Sequence, residues 1–128
     1  MTQAEIVVAL IVNVEGRFLF QKRHALNPVM PNLWELPGGK KESDETSLEG
    51  VKREVLEELG ISGLDWEPIL PSLEPQQGEG RFLGLYRTRF EGTFITSLSW
   101  GWFTAAEALR LQLPDLTREL ISDLLPGT

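Results

Sequence analysis

Three glutamates that lie close together in the sequence have the spacing that metal chemistry needs. Glu54, Glu57 and Glu58 stand at positions i, i+3 and i+4, so on a helix they share one side. Like charges placed in this way repel each other and destabilise an isolated helix, and a bound cation removes that penalty. Carboxylate oxygens are the ligands that Mg²⁺ and Mn²⁺ prefer, and Mg²⁺ is often shared with substrate phosphates. On spacing alone, these side chains form either a divalent-cation site or a solvated acidic face.

The segment that carries these glutamates is predicted to be a helix over Thr46–Leu59. Asp44 or Thr46 is expected to cap its start, and Gly60 stands where a C-terminal cap is wanted. The apolar residues fall within an arc of about 80°, which lies roughly 115° from the glutamates. This apolar stripe can therefore be buried while the carboxylates stay together; its members are Leu48, Val51, Val55 and Leu59.

The residues around the helix match a longer pattern. From Gly39 to Ile61 the sequence follows G-x5-E-x7-R-E-U-x-E-E-x-G-U, where U is aliphatic, at every specified position. The chain therefore resembles the Nudix hydrolase family, and Trp34–Lys40 (WELPGGK) is similar to its MutT-like branch. The resemblance implies an α/β Nudix fold, with a mixed β-sheet sandwiched between helices (α/β/α), and a single Nudix domain over residues 1–128.

The resemblance also implies an enzyme and a role for each motif residue. Nudix hydrolases cleave a diphosphate bond in nucleoside diphosphates linked to another group, using water and a divalent metal that neutralises phosphate charge. The implied cofactor is Mg²⁺, with Mn²⁺ as the alternative. By carry-over, Glu54 orients or deprotonates the attacking water, while Arg53 and Glu45 aim the metal-binding carboxylates. The implied catalytic residues are Glu45, Arg53, Glu54 and Glu57, and the implied metal ligands are Glu54, Glu57, Glu58 and the backbone carbonyl of Gly38.

Four further residues are candidates for contact with the substrate. Arg23 stands where MutT-like enzymes place a basic residue on a substrate phosphate, although a solvated strand end fits equally well. Glu35 contacts the substrate or is an edge-strand charge, and Phe82 stacks on a base or belongs to the core. Thr117 stands where purine-selective members place an asparagine. Because a hydroxyl cannot make the bidentate contact of an amide, selectivity for an oxidised guanine nucleotide is not expected.

The loop before Trp100 departs from the family pattern. MutT-like enzymes often carry an acidic residue there, as an extra metal ligand or a base, but Thr96–Trp100 holds hydroxyls and no carboxylate. We expect the three helix glutamates to suffice, and Glu79 or Glu91 is the alternative source of a carboxylate.

The remaining elements are predicted from periodicity and turn residues. The first part has a strand at Glu5–Val14, its hairpin partner at Arg17–Arg23, an extended piece at Trp34–Leu36 and a break in regular structure at Gly38-Gly39. The second part has strands at Leu64–Leu70, Arg81–Phe90 and Thr93–Phe103, a loop at Pro71–Gly80, a turn at Glu91-Gly92, and helices at Thr104–Leu111 and Leu116–Leu125. Strands mixed irregularly with helices predict a mixed sheet with helices packed on it.

The composition limits the classes of partner. The chain has 12 Lys and Arg against 19 Asp and Glu, a formal charge of −7, which argues against a broad surface for long nucleic acid. Five of these seven excess charges fall in residues 42–58, where a bound metal would offset them. The absence of Cys excludes disulfides and favours a reducing compartment, the cytoplasm. The early apolar run Ile6–Val12 is too short to span a bilayer, so we expect no membrane partner, and a homodimer is left open.

Three functions fit these observations. The first is a Mg²⁺-dependent pyrophosphohydrolase that splits a nucleoside triphosphate into a monophosphate and pyrophosphate. The second keeps the chemistry and changes the substrate to ADP-ribose, a dinucleoside polyphosphate or a 5′-triphosphate RNA end. The third is a catalytically silent Nudix module that binds a nucleotide, and the intact glutamate set argues against it.

Overall fold

A computed structural model of the chain describes residues 4–26, 31–70 and 81–124. The predicted loop Pro71–Gly80, which includes Glu79, lies outside the described residues. The elements found in the described ranges are β1 (Ala4–Val12), β2 (Phe18–Lys22), β3 (Trp34–Glu35), β4 (Gly38–Lys40), α1 (Ser47–Leu59), β5 (Glu67–Leu70), β6 (Arg81–Arg89), β7 (Ser99–Phe103), α2 (Ala105–Ala108) and α3 (Asp115–Leu124).

β1 is the central strand of a mixed sheet. β6 runs parallel to it over its whole length, and β4 runs antiparallel to its first half, from Ile6↔Lys40 to Val8↔Gly38. β2 follows β1 through the predicted hairpin, in which Val12 pairs with Phe18 and Gly16 takes a φ of 77°. β3 and β7 both pair antiparallel with β2, and β5 pairs antiparallel with β6.

Helices bury both faces of this sheet. On one face, the predicted apolar stripe of α1 packs against Val7 and Ile11 of β1. On the other face, α2 and α3 pack against Leu10 and Phe20, chiefly through Ala108 and Ile121. The predicted mixed sheet between helices is therefore confirmed. Within the described ranges, no helix is long and apolar enough to cross a bilayer.

The interpretation of Gly38-Gly39 as a break in regular structure is wrong, because these residues form β4. Gly38 has a φ of 149°, and a Cβ built on it would lie 2.1 Å from the carbonyl oxygen of Val7. Only a residue without a side chain lets the backbone approach β1 so closely. Gly38 thus permits strand pairing at this position instead of ending it.

We expect Gly38→Ala to disrupt this part of the fold. The added Cβ collides with backbone that cannot move without breaking β1, so the loss should reach about 3 kcal/mol or more. Gly16→Ala is the matched control, since it has a positive φ with open space around its Cβ and should cost only about 1 kcal/mol. Urea denaturation of both variants measures the difference, and equal losses would contradict the backbone-approach argument.

The predicted hairpin between Arg81–Phe90 and Thr93–Phe103 is also wrong. β7 begins only at Ser99 and pairs with β2, whereas β6 pairs with β1 and β5. The segment before β7 instead contacts the end of α1 at Ile95, whose N–H donates to the Leu59 carbonyl at 3.0 Å. The last carbonyls of a helix have no partner inside it, so this segment satisfies one of them. The other predicted elements are present with shifted or shortened ends.

Candidate active site

The helix that carries the glutamates begins and ends at residues with capping geometry. Thr46, not Asp44, is the N-cap: its hydroxyl accepts from the Glu49 N–H at 3.1 Å, and the Glu49 carboxylate accepts from the Thr46 N–H at 2.7 Å. Gly60 closes the other end in the left-handed region, with a φ of 71°. These caps fix the helix register that places the three glutamates along one side.

Glu54 and Glu58 meet at β4, the strand that begins with Gly38 and Gly39. Glu58 accepts one hydrogen bond from the Gly38 N–H at 3.3 Å and one from Gln21 Nε2 at 3.0 Å. Burial, and then the neighbouring Glu54, raise the pKa of the Glu58 carboxyl to about 8. The Glu54 carboxylate fills the space beside Gly39, where a Cβ would lie 2.8 Å from both of its oxygens. Two carboxylates forced together in a half-buried cradle form a donor set that suits a hard divalent cation.

Arg53 binds several carboxylates of the motif at once. Its guanidinium binds both oxygens of Glu45, with Nη2–Oε1 at 2.8 Å and Nε–Oε2 at 3.1 Å. The same group donates to Glu54 at 3.0 Å and to the carbonyl of Lys40 at 3.0 Å. A planar guanidinium bound on several edges has little freedom to rotate, so it holds these carboxylates in place. The hydrogen bond to Glu45 and the charge of Glu54 raise the pKa of Arg53 further above its ordinary value.

Glu57 is more exposed than Glu54, although both carboxylates accept from the same nitrogen of Arg53. The Glu57 side chain is 59% exposed against 16% for Glu54, and its carboxylate accepts from Arg53 Nη1 at 3.1 Å. In the part of the chain that the structure describes, no three His, Cys, Asp or Glu side chains converge as a metal site. The structure therefore brings Glu54 and Glu58 together and leaves Glu57 at the edge of the cluster.

The Glu45–Arg53 pair should make stability depend on pH. The hydrogen bond from Arg53 lowers the pKa of Glu45 from 4.5 to about 2. Stabilisation by such a carboxylate is present above its unfolded pKa and is lost as the pH falls through the folded pKa. We therefore expect Glu45→Gln to lower the urea midpoint at about pH 6, and the difference from wild type to shrink towards about pH 3. A difference that stays constant between these pH values would contradict this assignment.

Arg23 and Glu35 form an ion pair beside the glutamates. Arg23 Nε lies 3.0 Å from Glu35 Oε1, and both side chains are partly exposed. Gln21 pairs with Glu35 on one side and with Trp100 on the other, so these three side chains point to the same face of the sheet. Trp100 is 48% exposed and packs edge-on against Phe94, with ring centroids 4.6 Å apart. This row of polar and aromatic side chains borders Glu58 through Gln21.

The two remaining substrate candidates lie elsewhere. Thr117 stands in the first turn of α3, which packs on the opposite face of the sheet from α1. The backbone of Phe82 pairs with Glu5 in the sheet, and its side chain lies outside the described residues. A role for either residue in binding substrate stays a prediction.

Two residues at this site were not singled out from the sequence. Gln21 is only 2% exposed although its side chain is polar, and its amide oxygen accepts from the Thr96 hydroxyl at 2.8 Å. A glutamine two residues after the buried Leu19 is the signal that sequence analysis offers, because both face the same side of the strand. Nothing local to Thr96 identifies its partner, which is distant in sequence.

Comparison with known proteins places this arrangement in a family. The family model described as the NUDIX domain matches residues 1–124. The CTP pyrophosphohydrolase of Escherichia coli (strain K12) is 32% identical over 112 residues, which are 84% of this chain and 81% of that protein. Two crystal structures are similar. DR0079 from Deinococcus radiodurans has a TM-score of 0.81 at 28% identity, covering 94% of this chain and 82% of the other. The MutT protein from Methanosarcina mazei Go1 has a TM-score of 0.76 at 27% identity, covering 95% and 92%.

The chain belongs to the NUDIX domain family. The predicted resemblance to MutT-like Nudix hydrolases is thereby confirmed. So is the prediction of an enzyme that acts on phosphoric anhydride bonds of nucleotide derivatives.

Proposed function

We propose that this chain is a Mg²⁺-dependent pyrophosphohydrolase that splits a nucleoside triphosphate into a monophosphate and pyrophosphate. The observation that carries the proposal is the pair formed by Glu54 and Glu58 in the cradle of Gly38 and Gly39. Arg53 offsets the charge of Glu54, but Glu58 accepts from the neutral donors Gln21 and Gly38, so ionising both acids favours a further cation beside the pair. The proposed setting is the cytoplasm and the proposed partner a free nucleotide, in keeping with the charge of −7.

The proposed metal ligands are the three helix glutamates and the carbonyl oxygen of Gly38. Glu57 reaches the pair by rotation about its side-chain bonds, and such rotation is fast for an exposed residue. When bound, Mg²⁺ neutralises phosphate oxygens and lowers the pKa of the attacking water. Glu54 then orients this water, and Arg53 keeps Glu54 in position while its own charge is balanced by Glu45.

The base of the substrate is proposed to stack on the exposed indole of Trp100. Glu35 lies about two strand spacings away, roughly 10 Å, on the far side of the buried Gln21. A carboxylate is a suitable acceptor for an exocyclic amino group such as N4 of cytosine. CTP is therefore the first substrate to test, as the name of the Escherichia coli relative also suggests.

Arg23 is proposed to contact a substrate phosphate, the role that the resemblance to MutT-like enzymes implies. Its guanidinium lies at the end of β2 and pairs with Glu35 at 3.0 Å, so a bound phosphate would compete with this carboxylate for it. Thr117 offers a hydroxyl and no amide, which gives no ground for recognising an oxidised guanine.

A nucleotide panel tests the proposal. CTP, UTP, ATP, GTP and ADP-ribose are offered with Mg²⁺, with Mn²⁺ and with EDTA, and monophosphate and pyrophosphate are quantified separately. We expect turnover of triphosphates with CTP preferred, and no turnover in EDTA. Trp100→Ala should raise KM for CTP while Trp100→Phe retains most of the affinity, because stacking needs an aromatic face. Turnover of ADP-ribose alone, or undiminished turnover in EDTA, would overturn the proposal.

A further inference from the structure

Gln21 is a buried amide in β2, next to the apolar residues Leu19 and Phe20. The side chain is 2% exposed, and it leaves the β2 strand towards α1. Burying an amide without hydrogen-bond partners is unfavourable, because the group loses its contacts with water. Both ends of this amide are satisfied, so its position is determined by the two groups that it joins.

The hydrogen bonds around Gln21 form a directed chain that ends on Glu58. The Leu98 N–H donates to the Thr96 hydroxyl oxygen at 3.2 Å, and that hydroxyl donates to the amide oxygen of Gln21 at 2.8 Å. The amide nitrogen of Gln21 then faces Glu58 and donates to Oε1 at 3.0 Å. The other oxygen of Glu58 accepts from the Gly38 N–H, so each carboxylate oxygen is held by a separate donor.

The segment that supplies Thr96 is itself fixed to the same turn of helix. The Ile95 N–H donates to the carbonyl of Leu59, the residue after Glu58, at 3.0 Å. Residues 95 and 96 thus contact α1 directly and through Gln21, at two neighbouring positions. An exposed loop without such contacts would not keep a hydroxyl in one place.

We propose that Gln21 and Thr96 are positioning residues for Glu58, acting as a neutral relay from the 93–98 segment to the metal-binding carboxylate. This inference rests on the proposed function, because it takes Glu58 to be a metal ligand. The relay stands at the loop where MutT-like enzymes often carry an acid. In this chain the loop orients an existing carboxylate and adds no negative charge of its own.

The relay has a consequence that a purely structural role does not share. Without the hydrogen bond from Gln21, the Glu58 carboxylate is no longer held at Oε1 and can rotate out of its position. Loss of a partner that orients a ligand typically weakens metal binding by about 10–100-fold. Loss of an ordinary buried hydroxyl lowers stability and leaves metal affinity unchanged.

The test is Mn²⁺ binding without nucleotide, measured by electron paramagnetic resonance of the free ion. The variants are Gln21→Met, which keeps the volume of the side chain, together with Thr96→Val and Thr96→Ser. Thr88→Val is the matched control, because its buried hydroxyl donates to the Asp65 carbonyl and to none of the glutamates. We expect Gln21→Met to weaken Mn²⁺ binding about 10-fold, Thr96→Val to weaken it less, and Thr96→Ser and Thr88→Val to bind like wild type.

The outcomes separate this inference from the proposed function. If wild type takes up no Mn²⁺, the proposed function fails and the relay fails with it. If wild type binds Mn²⁺ and Glu58→Gln does not, the proposed metal site is supported. In that case, an affinity for Mn²⁺ equal to that of wild type in both Thr96→Val and Gln21→Met overturns the relay alone. Should Gln21→Met not fold, the partly exposed Thr96 decides the question, because weakening by valine and rescue by serine are required together.

Discussion

Replacing Glu54 by glutamine is expected to remove most of the turnover of a nucleoside triphosphate while the chain stays folded. Under the proposed function, Glu54 touches both the metal and the attacking water, and the loss of such a group lowers kcat by about 10²–10⁴-fold. Glutamine has nearly the same shape, so it still fills the space beside Gly39. Steady-state kinetics with CTP and Mg²⁺ measure the change.

The same variant should be at least as stable as wild type when no metal is present. Glu54 crowds the half-buried Glu58 and helps to raise the pKa of that carboxyl, so a neutral amide removes an unfavourable neighbour. Its oxygen can still accept from Arg53, which donates to Glu54 at 3.0 Å in the native chain. Active sites commonly lose stability in exchange for function in this way.

Glu119→Gln is the control for loss of one negative charge. Glu119 is an exposed residue of α3, a helix on the other face of the sheet. Its variant should keep wild-type kcat and a wild-type melting temperature. A Glu54→Gln variant with kcat close to that of wild type would contradict the proposed role, and a lower melting temperature would contradict the crowding argument.

Arg53→Lys is expected to lower both activity and stability. A lysine ammonium is a point charge and cannot replace the fork that binds Glu45 through two atoms while donating to Glu54. Because Arg53 is mostly buried within this network, we expect a loss of about 2 kcal/mol in the free energy of unfolding. Activity should fall about 10–100-fold, since the carboxylates lose the group that orients them.

Arg87→Lys provides the matched comparison. Arg87 pairs with Glu67 between neighbouring strands, but both side chains are largely exposed, so this ion pair should contribute little. Urea denaturation and kcat are measured on both variants. If Arg53→Lys behaves like Arg87→Lys in both measurements, the Arg53 network does not organise the site.

The helix and its glutamates were predictable because their signals are local. The apolar stripe, the Thr46 cap and Gly60 all lie within one segment of 15 residues, and each was found where periodicity and capping chemistry indicated. The α/β class followed from the order of strands and helices. Such signals require no knowledge of which distant strands pair.

The predictions of local structure were wrong where pairing between distant strands determines the structure. Glycine pairs usually interrupt regular structure, but β1 leaves no room for a Cβ on Gly38, and the Glu54 carboxylate leaves none on Gly39. Similarly, the residues before β7 have a strand-like pattern and a glycine turn, yet β7 pairs with the distant β2. Neither outcome is encoded in the segment itself.

The candidate site was likewise predictable only where its signals are local in sequence. The pattern of charged residues predicts Arg53, Glu54 and Glu58 as site residues, whereas the hydrogen bond between Thr96 and Gln21 joins residues 75 positions apart. Such a contact is visible only once β2, β7 and α1 are packed together.

The most direct test of the central claim is ³¹P NMR of CTP incubated with the chain and Mg²⁺, with Glu57→Gln as the comparison. The proposed function predicts equal amounts of monophosphate and pyrophosphate, without orthophosphate, from wild type. It predicts that Glu57→Gln releases monophosphate and pyrophosphate much more slowly than wild type. Release of orthophosphate, or equal rates for wild type and Glu57→Gln, would contradict the claim that this glutamate site cleaves the triphosphate into these two products.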